Sequence, residues 1–223
     1  PHAPSGVSPL RELWDAGVVM VHHRGISLLL VLSILMGVFA NPIFSFTVVF
    51  AEDVFRVDAV GLGLLNAALG VGAILAAPLA SGWGKRASLS STVLWGLLGF
   101  GGGLVALGLT PVYVPALLVL IVVGACFLFV IVGINTALQM QIPDELRGRG
   151  IAIRNAVYTS GFPIGAVLSG WLSDQFGVGI AVIVLGTILL IAAAALWIPG
   201  RGAILARLNA SSEPEPPQPL PDA

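Results

Sequence analysis

The sequence predicts an all-α membrane protein whose six transmembrane helices form two inverted three-helix repeats. Charge is scarce: charged residues make up 9% and hydrophobic residues 57% of the chain, whereas an average soluble domain is about 25% charged. With a mean hydropathy of +1.00, too little charge is available to cover a core with a water-facing surface. Six runs free or nearly free of charge are each long enough to cross a bilayer as helix, which takes about 20 residues. Basic residues gather in alternate loops, as a polytopic protein requires.

In chain order, residues 1–25 read as a linker holding a short interfacial helix. Ser8 and Pro9 suit an N-cap followed by proline in the first turn. Leu10, Leu13, Trp14, Gly17, Val18 and Val21 then recur at helical spacing, with Arg11, Glu12 and Asp15 off that stripe. Residues 26–198 form the bundle, with spans expected at 26–50, 59–82, 89–110, 112–142, 151–173 and 178–198. A closed barrel is the only other spanning structure, and the runs lack its period-two alternation. Residues 199–223, with Glu213-Pro214-Glu215-Pro216-Pro217, read as a disordered cytoplasmic tail. The chain starts at Pro1 with no signal peptide, so it is expected to begin inside a longer product.

Loop charge sets the orientation. Of the ten Lys and Arg residues, all but Arg56 fall on one side of the six-span scheme, which puts that side and both termini in the cytoplasm. Trp83, Trp171 and Trp197 lie near span ends, where amphipathic rings prefer to sit.

The second and fifth spans resemble each other. The run Gly72 to Ser81 aligns without gaps on Gly165 to Asp174, matching Gly, Ala and two Leu at equal offsets. Because three spans is an odd number, two triplets related this way must have opposite orientation. Shared membrane composition is the alternative source of such a match.

Two cytoplasmic loops carry more specific signals. The first runs Ala77-Pro78-Leu79-Ala80-Ser81-Gly82-Trp83-Gly84-Lys85-Arg86. It resembles the G-x-L-A-D-R-x-G-R-R loop of the major facilitator superfamily, with Ser81 in place of the Asp and Ala77 in place of the first Gly. The second, Pro143-Asp144-Glu145-Leu146-Arg147-Gly148-Arg149, resembles that superfamily's P-x-E-x-R-G-R linker. The fifth span then carries Gly161-Phe162-Pro163-Ile164-Gly165, and its ending Gly170 to Gly177 is similar to that superfamily's G-x-L-x-D-x-x-G pattern. The run from Leu10 to Arg24 resembles the linker before the seventh helix in the siderophore and multidrug exporter branch.

The resemblance covers nearly all of residues 9–198. It implies the C-terminal six-helix half of such a transporter, set in the plasma (inner) membrane and partnered by an N-terminal six-helix half. It also implies that the first span of each triplet lines a central cavity and the third packs outside. Transport by alternating access follows, as efflux of a small amphipathic solute. No acidic residue lies deep in a span, so proton coupling would run through the N-terminal half.

On that frame the candidate cavity residues are Asn41, Pro42 and Ser45 of the first span, Asn135, Thr136 and Gln139 of the fourth, and Arg154 of the fifth. Pro42 removes a backbone donor in mid-membrane, which suits either a binding break or a structural kink. Arg154 suits either an anionic solute at the cavity mouth or snorkelling and pairing with a loop carboxylate. Lys85, Arg86, Asp144, Glu145, Arg147 and Arg149 are the candidate gating charges; the alternative is that they only set topology. Asn66 reads as interhelical glue.

Other classes are poorly served. Net charge is −1, so no basic surface recommends nucleic acid. Cys126 has no partner for an internal disulfide, and His22 and His23 lack metal-ligand companions, so no cofactor or metal is expected. No His/Asp/Glu or Ser/Lys constellation within the spans suggests an enzyme. The remaining alternative is a non-transporting membrane scaffold or assembly subunit, which would need neither gating loops nor a broken first span.

Overall fold

A computed structural model describes residues 24–83, 89–142 and 146–197, and they are helical almost throughout, with no strand among them. The interfacial helix expected before residue 24 and the tail after residue 198 lie outside the described residues. So do Lys85, Arg86, Asp144 and Glu145.

The first span combines α1 (Arg24–Leu35) and α2 (Ile43–Val49) with two π-helical stretches, Met36–Ala40 and Phe50–Val54. Five straight runs of helix follow: α3 (Ala59–Trp83), α4 (Leu89–Gly108), α5 (Tyr113–Gln141), α6 (Arg147–Phe176) and α7 (Val178–Trp197). Among the described residues, five helical stretches are long and apolar enough to cross a membrane: Gly25–Val54, Ala59–Ala80, Ser91–Gly108, Tyr113–Gln141 and Val178–Leu196. The 30-residue α6 is the longest helix but falls short in apolarity. Its first turns carry Arg147, Arg149, Arg154 and Asn155.

Sequence placed Arg147 and Arg149 in a loop before a span starting at residue 151, whereas α6 starts at Arg147. Charge ends an apolar run but not a hydrogen-bonded helix, so the helix extends beyond the segment that hydropathy marks.

Local chemistry explains the other boundaries. The Asp58 carboxylate accepts from the Gly61 N–H at 3.0 Å, capping the start of α3. Gly177, at φ 84°, takes the positive-φ conformation that ends α6, its N–H donating to Ser173 O at 2.9 Å. Arg56, at φ 53°, turns the loop between the first and second spans.

The break in the first span has a clear cause. Pro42 offers no N–H to the Val38 carbonyl one turn earlier. The chain answers by widening: the Asn41 N–H reaches back to Met36 O at 3.1 Å, a π-helical bond, and Ser45 and Phe46 restart the helix by donating to Pro42 O, each at 2.9 Å.

Packing is organised by glycine. α6 lies along the first span, with Gly161 and Gly165 four residues apart against Gly37 and Val38. A Cβ on Gly165 would collide with the Val38 carbonyl, and one on Gly37 with the Tyr158 carbonyl. The carbonyl that Pro42 leaves without a donor is therefore covered by close helix contact. α3 crosses α5 in the same manner: a Cβ on Gly72 would strike the Ile121 carbonyl, and one on Gly124 the Leu69 carbonyl. α4 and α7 meet antiparallel through Gly101 against Gly186 and Gly108 against Gly179, one heptad apart. The apolar core, including Leu29, Met36, Leu65, Phe100, Leu120, Ile134 and Leu189, runs through the middle of these crossings.

Candidate functional site

Polar groups are few inside this bundle, so each must be accounted for. Arg154 is the most demanding. It lies about two turns inside α6, on the side that packs against α1. Its side chain is only 4% exposed. The Nε–H donates to Ser33 Oγ at 3.3 Å and Nη1 to Asn155 Oδ1 at 3.1 Å, while the guanidinium carbon sits 5.1 Å from the Tyr158 ring centre. Ser33, fully buried, donates in turn to Leu29 O at 2.8 Å. Nη2 is buried and has no hydrogen-bond partner.

This is an unusual arrangement for a cation. Two neutral oxygens and one aromatic face hold it, and among the described residues no carboxylate contacts it. Burying a charge without an opposite charge costs several kcal/mol, and cation–π contact returns about 2 kcal/mol at best. Among the described residues, Ser33, Asn155 and Tyr158 are what hold Arg154; the loop carboxylates Asp144 and Glu145 lie outside them. The helix begins four residues earlier than hydropathy suggests, and Gly37 lets the α6 backbone at Tyr158, one turn after Arg154, approach the first span closely.

The other candidates fall into distinct environments. Asn41 is half-buried at the π-helical break and Pro42 is buried, its ring beside Gly165. Ser45, one turn on, is exposed. On α5, Asn135 is half-buried while Thr136 and Gln139 are exposed. Arg147 and Arg149 are exposed in the first turn of α6. That position sets cations against the positive end of the helix dipole, so helix stability is not the reason for them. α1 and α5 are in contact, which brings the helices bearing Ser33 and Asn135 together.

Asn66 links two spans: its Oδ1 lies 3.3 Å from the Thr47 hydroxyl of α2, while its Nδ2 donates to Leu62 O at 3.1 Å. The interhelical reading of Asn66 agrees with this geometry.

Several participants were not singled out from sequence. Ser33 and Tyr158 are not among the candidate site residues read from the sequence. Phe127 of α5 bridges Phe44 of the first span, edge-on at 6.0 Å, and Phe100 of α4 at 5.7 Å. At the end of the bundle that holds the loop of Arg56, Phe55 packs on Phe50 and on Tyr113, each at 5.7 Å, and the Tyr113 hydroxyl donates to Gly61 O at 2.8 Å. That cluster ties the starts of α3 and α5 to the end of the first span. No periodicity in the sequence announces such a pairing, since even Gly61 and Tyr113 are 52 residues apart.

Residues 16–220 match the family model described as transmembrane secretion effector, which is of the major facilitator type. A search of curated proteins found no significant match.

Proposed function

Because the chain belongs to the transmembrane secretion effector family of major facilitator-type transporters, we propose that it is the C-terminal six-helix half of an alternating-access exporter. In this reading α6 is the fifth of six spans, its polar first turns reaching into the cytoplasm. Both termini are cytoplasmic, and the protein sits in the plasma (inner) membrane. The solute is a small amphipathic compound of the siderophore or multidrug kind, and an N-terminal six-helix half supplies proton coupling. Asn41, Pro42, Ser45, Asn135, Thr136, Gln139 and Arg154 line the cavity. Lys85, Arg86, Asp144, Glu145, Arg147 and Arg149 form the cytoplasmic gate.

One observation carries this reading. The sequence match between the second and fifth spans pairs Gly72 with Gly165. Those two glycines sit at equivalent crossings: Gly72 where the second span meets the fourth, Gly165 where the fifth meets the first. Exchanging the triplets turns one crossing into the other and maps the α4–α7 contact onto itself. This is the pattern an inverted repeat requires, and it leaves the first and fourth spans to lead the two halves.

The test is substitution of the two half-buried amides in the full-length transporter. Asn41→Ala and Asn135→Ala are expected to weaken apparent solute affinity or change solute range by about tenfold at most, the worth of one neutral hydrogen bond. Thermal stability in detergent should hardly move. Lower stability with unchanged affinity would make both residues structural and refute the cavity assignment.

A further inference from the structure

Arg154 has three nitrogens, and the fold has used two. Nε is spent on Ser33 Oγ and Nη1 on Asn155 Oδ1, both neutral acceptors, while Tyr158 covers a face of the guanidinium. These contacts fix the plane of the fork and leave Nη2 buried with its hydrogens unused. The carboxylates among the described residues are badly placed to answer. Glu52, Asp53 and Asp58 lie at the opposite end of the first span. Asp174 is exposed near the far end of α6, about 30 Å along the helix. The group is thus oriented, buried and, among the described residues, short of one negative charge.

We propose that Arg154 is the docking point for the anionic group of the transported solute, a carboxylate, sulfonate or phosphate attached to an apolar body. This deepens the exporter reading and rests on it. Guanidinium recognises such groups through directed N–H···O bonds, and Nη2 is the donor left for one. The apolar body would lie along the spans that Ser33 and Arg154 join, where the neighbouring side chains are aliphatic and aromatic. A solute that brings the missing charge relieves a cost the empty protein bears, so binding energy is concentrated where the solute is negative.

The experiment uses the full-length transporter in neutral detergent, with decanoate and decyltrimethylammonium as probes of equal chain length and opposite charge. Wild type should be thermally stabilised by decanoate and not by the cation. Arg154→Gln should weaken decanoate binding about tenfold or more, and Arg154→Lys should retain part of it. Without probe, Arg154→Met should be at least as stable as wild type, because it removes a charge with no partner. In phosphatidylcholine vesicles, decanoate should inhibit efflux of the amphipathic sulfonate dye 1-anilinonaphthalene-8-sulfonate. A marked loss of stability in Arg154→Met, with no preference for decanoate in wild type, would show a structural ion pair elsewhere in the polypeptide and overturn the proposal. Stabilisation by decanoate without inhibition of efflux would mark a lipid headgroup site and overturn it equally. If wild type moves no dye, the exporter reading fails, while the binding comparison still decides whether Arg154 holds anions.

Discussion

Gly165→Leu is expected to lose about 3 kcal/mol of stability and to separate the first span from α6. The side chain would have to occupy space held by the Val38 carbonyl and the Pro42 ring. Backbone and proline cannot rotate away as a flexible side chain can, so the helices must part. Parting them also uncovers the Val38 carbonyl, which Pro42 leaves without a helical donor, in a setting where water cannot replace the contact. Gly72→Leu should fail in the same way against Ile121 of α5. Gly102 is the control: a Cβ there meets nothing within 4 Å. Gly102→Ala should be neutral or stabilising by up to about 1 kcal/mol, the usual gain of alanine over glycine in a helix. Thermal unfolding in detergent reads all three. Equal behaviour at Gly165 and Gly102 would mean that glycine crossings do not set the packing.

Replacing both Arg147 and Arg149 with Gln should reduce transport by about tenfold or more, the scale of losing charge-assisted contacts in one state of a gate. Both residues are exposed in the first turn of α6, where the helix dipole disfavours cations. An account based on helix stability alone therefore predicts a slight gain, of about 0.3–1 kcal/mol per residue. The two accounts part in sign: less transport with an intact fold, or a firmer helix with normal transport. Arg147→Lys with Arg149→Lys keeps the charge that orients the span and separates gating from misinsertion. That conservative pair should keep the orientation and recover part of the transport. Normal efflux by the Gln pair would reduce these residues to a topology signal.

How far the sequence reaches can be judged from particular residues. Hydropathy locates α3, α4, α5 and α7 closely, because lipid constrains every residue along an apolar helix. The first span is harder. Pro42 announces a break, but the π-helical bonds at Met36–Ala40 and Phe50–Val54 shift the register without changing composition, and they carry the helix on to Val54. α6 exceeds its apolar run because charge does not stop a helix, which moves Arg147 and Arg149 from loop to helix.

Pairings were the least readable. Gly161 and Gly165 are four apart and read as a close-packing motif, but nothing local names Gly37 and Val38 as their partner. Arg154 and Ser33 are 121 residues apart. Their meeting depends on which spans adjoin, and that is decided by the helix crossings.

The central claim is that the first and fourth spans line one path, open to one side at a time. The most direct measurement is sided labelling of full-length protein in vesicles with a membrane-impermeant maleimide, in a Cys126→Ser background. Ser88→Cys serves as the cytoplasmic reference and Asp58→Cys as the outer one. Ser45→Cys and Thr136→Cys report on the path, since both side chains are exposed and lie on the first and fourth spans. The account predicts that Thr136→Cys is labelled from the cytoplasm and Ser45→Cys from outside. Trapping the outward-open state should suppress the first and enhance the second, and trapping the inward-open state should do the reverse. Labelling of both positions from one side in every state, or of neither in any state, would contradict it.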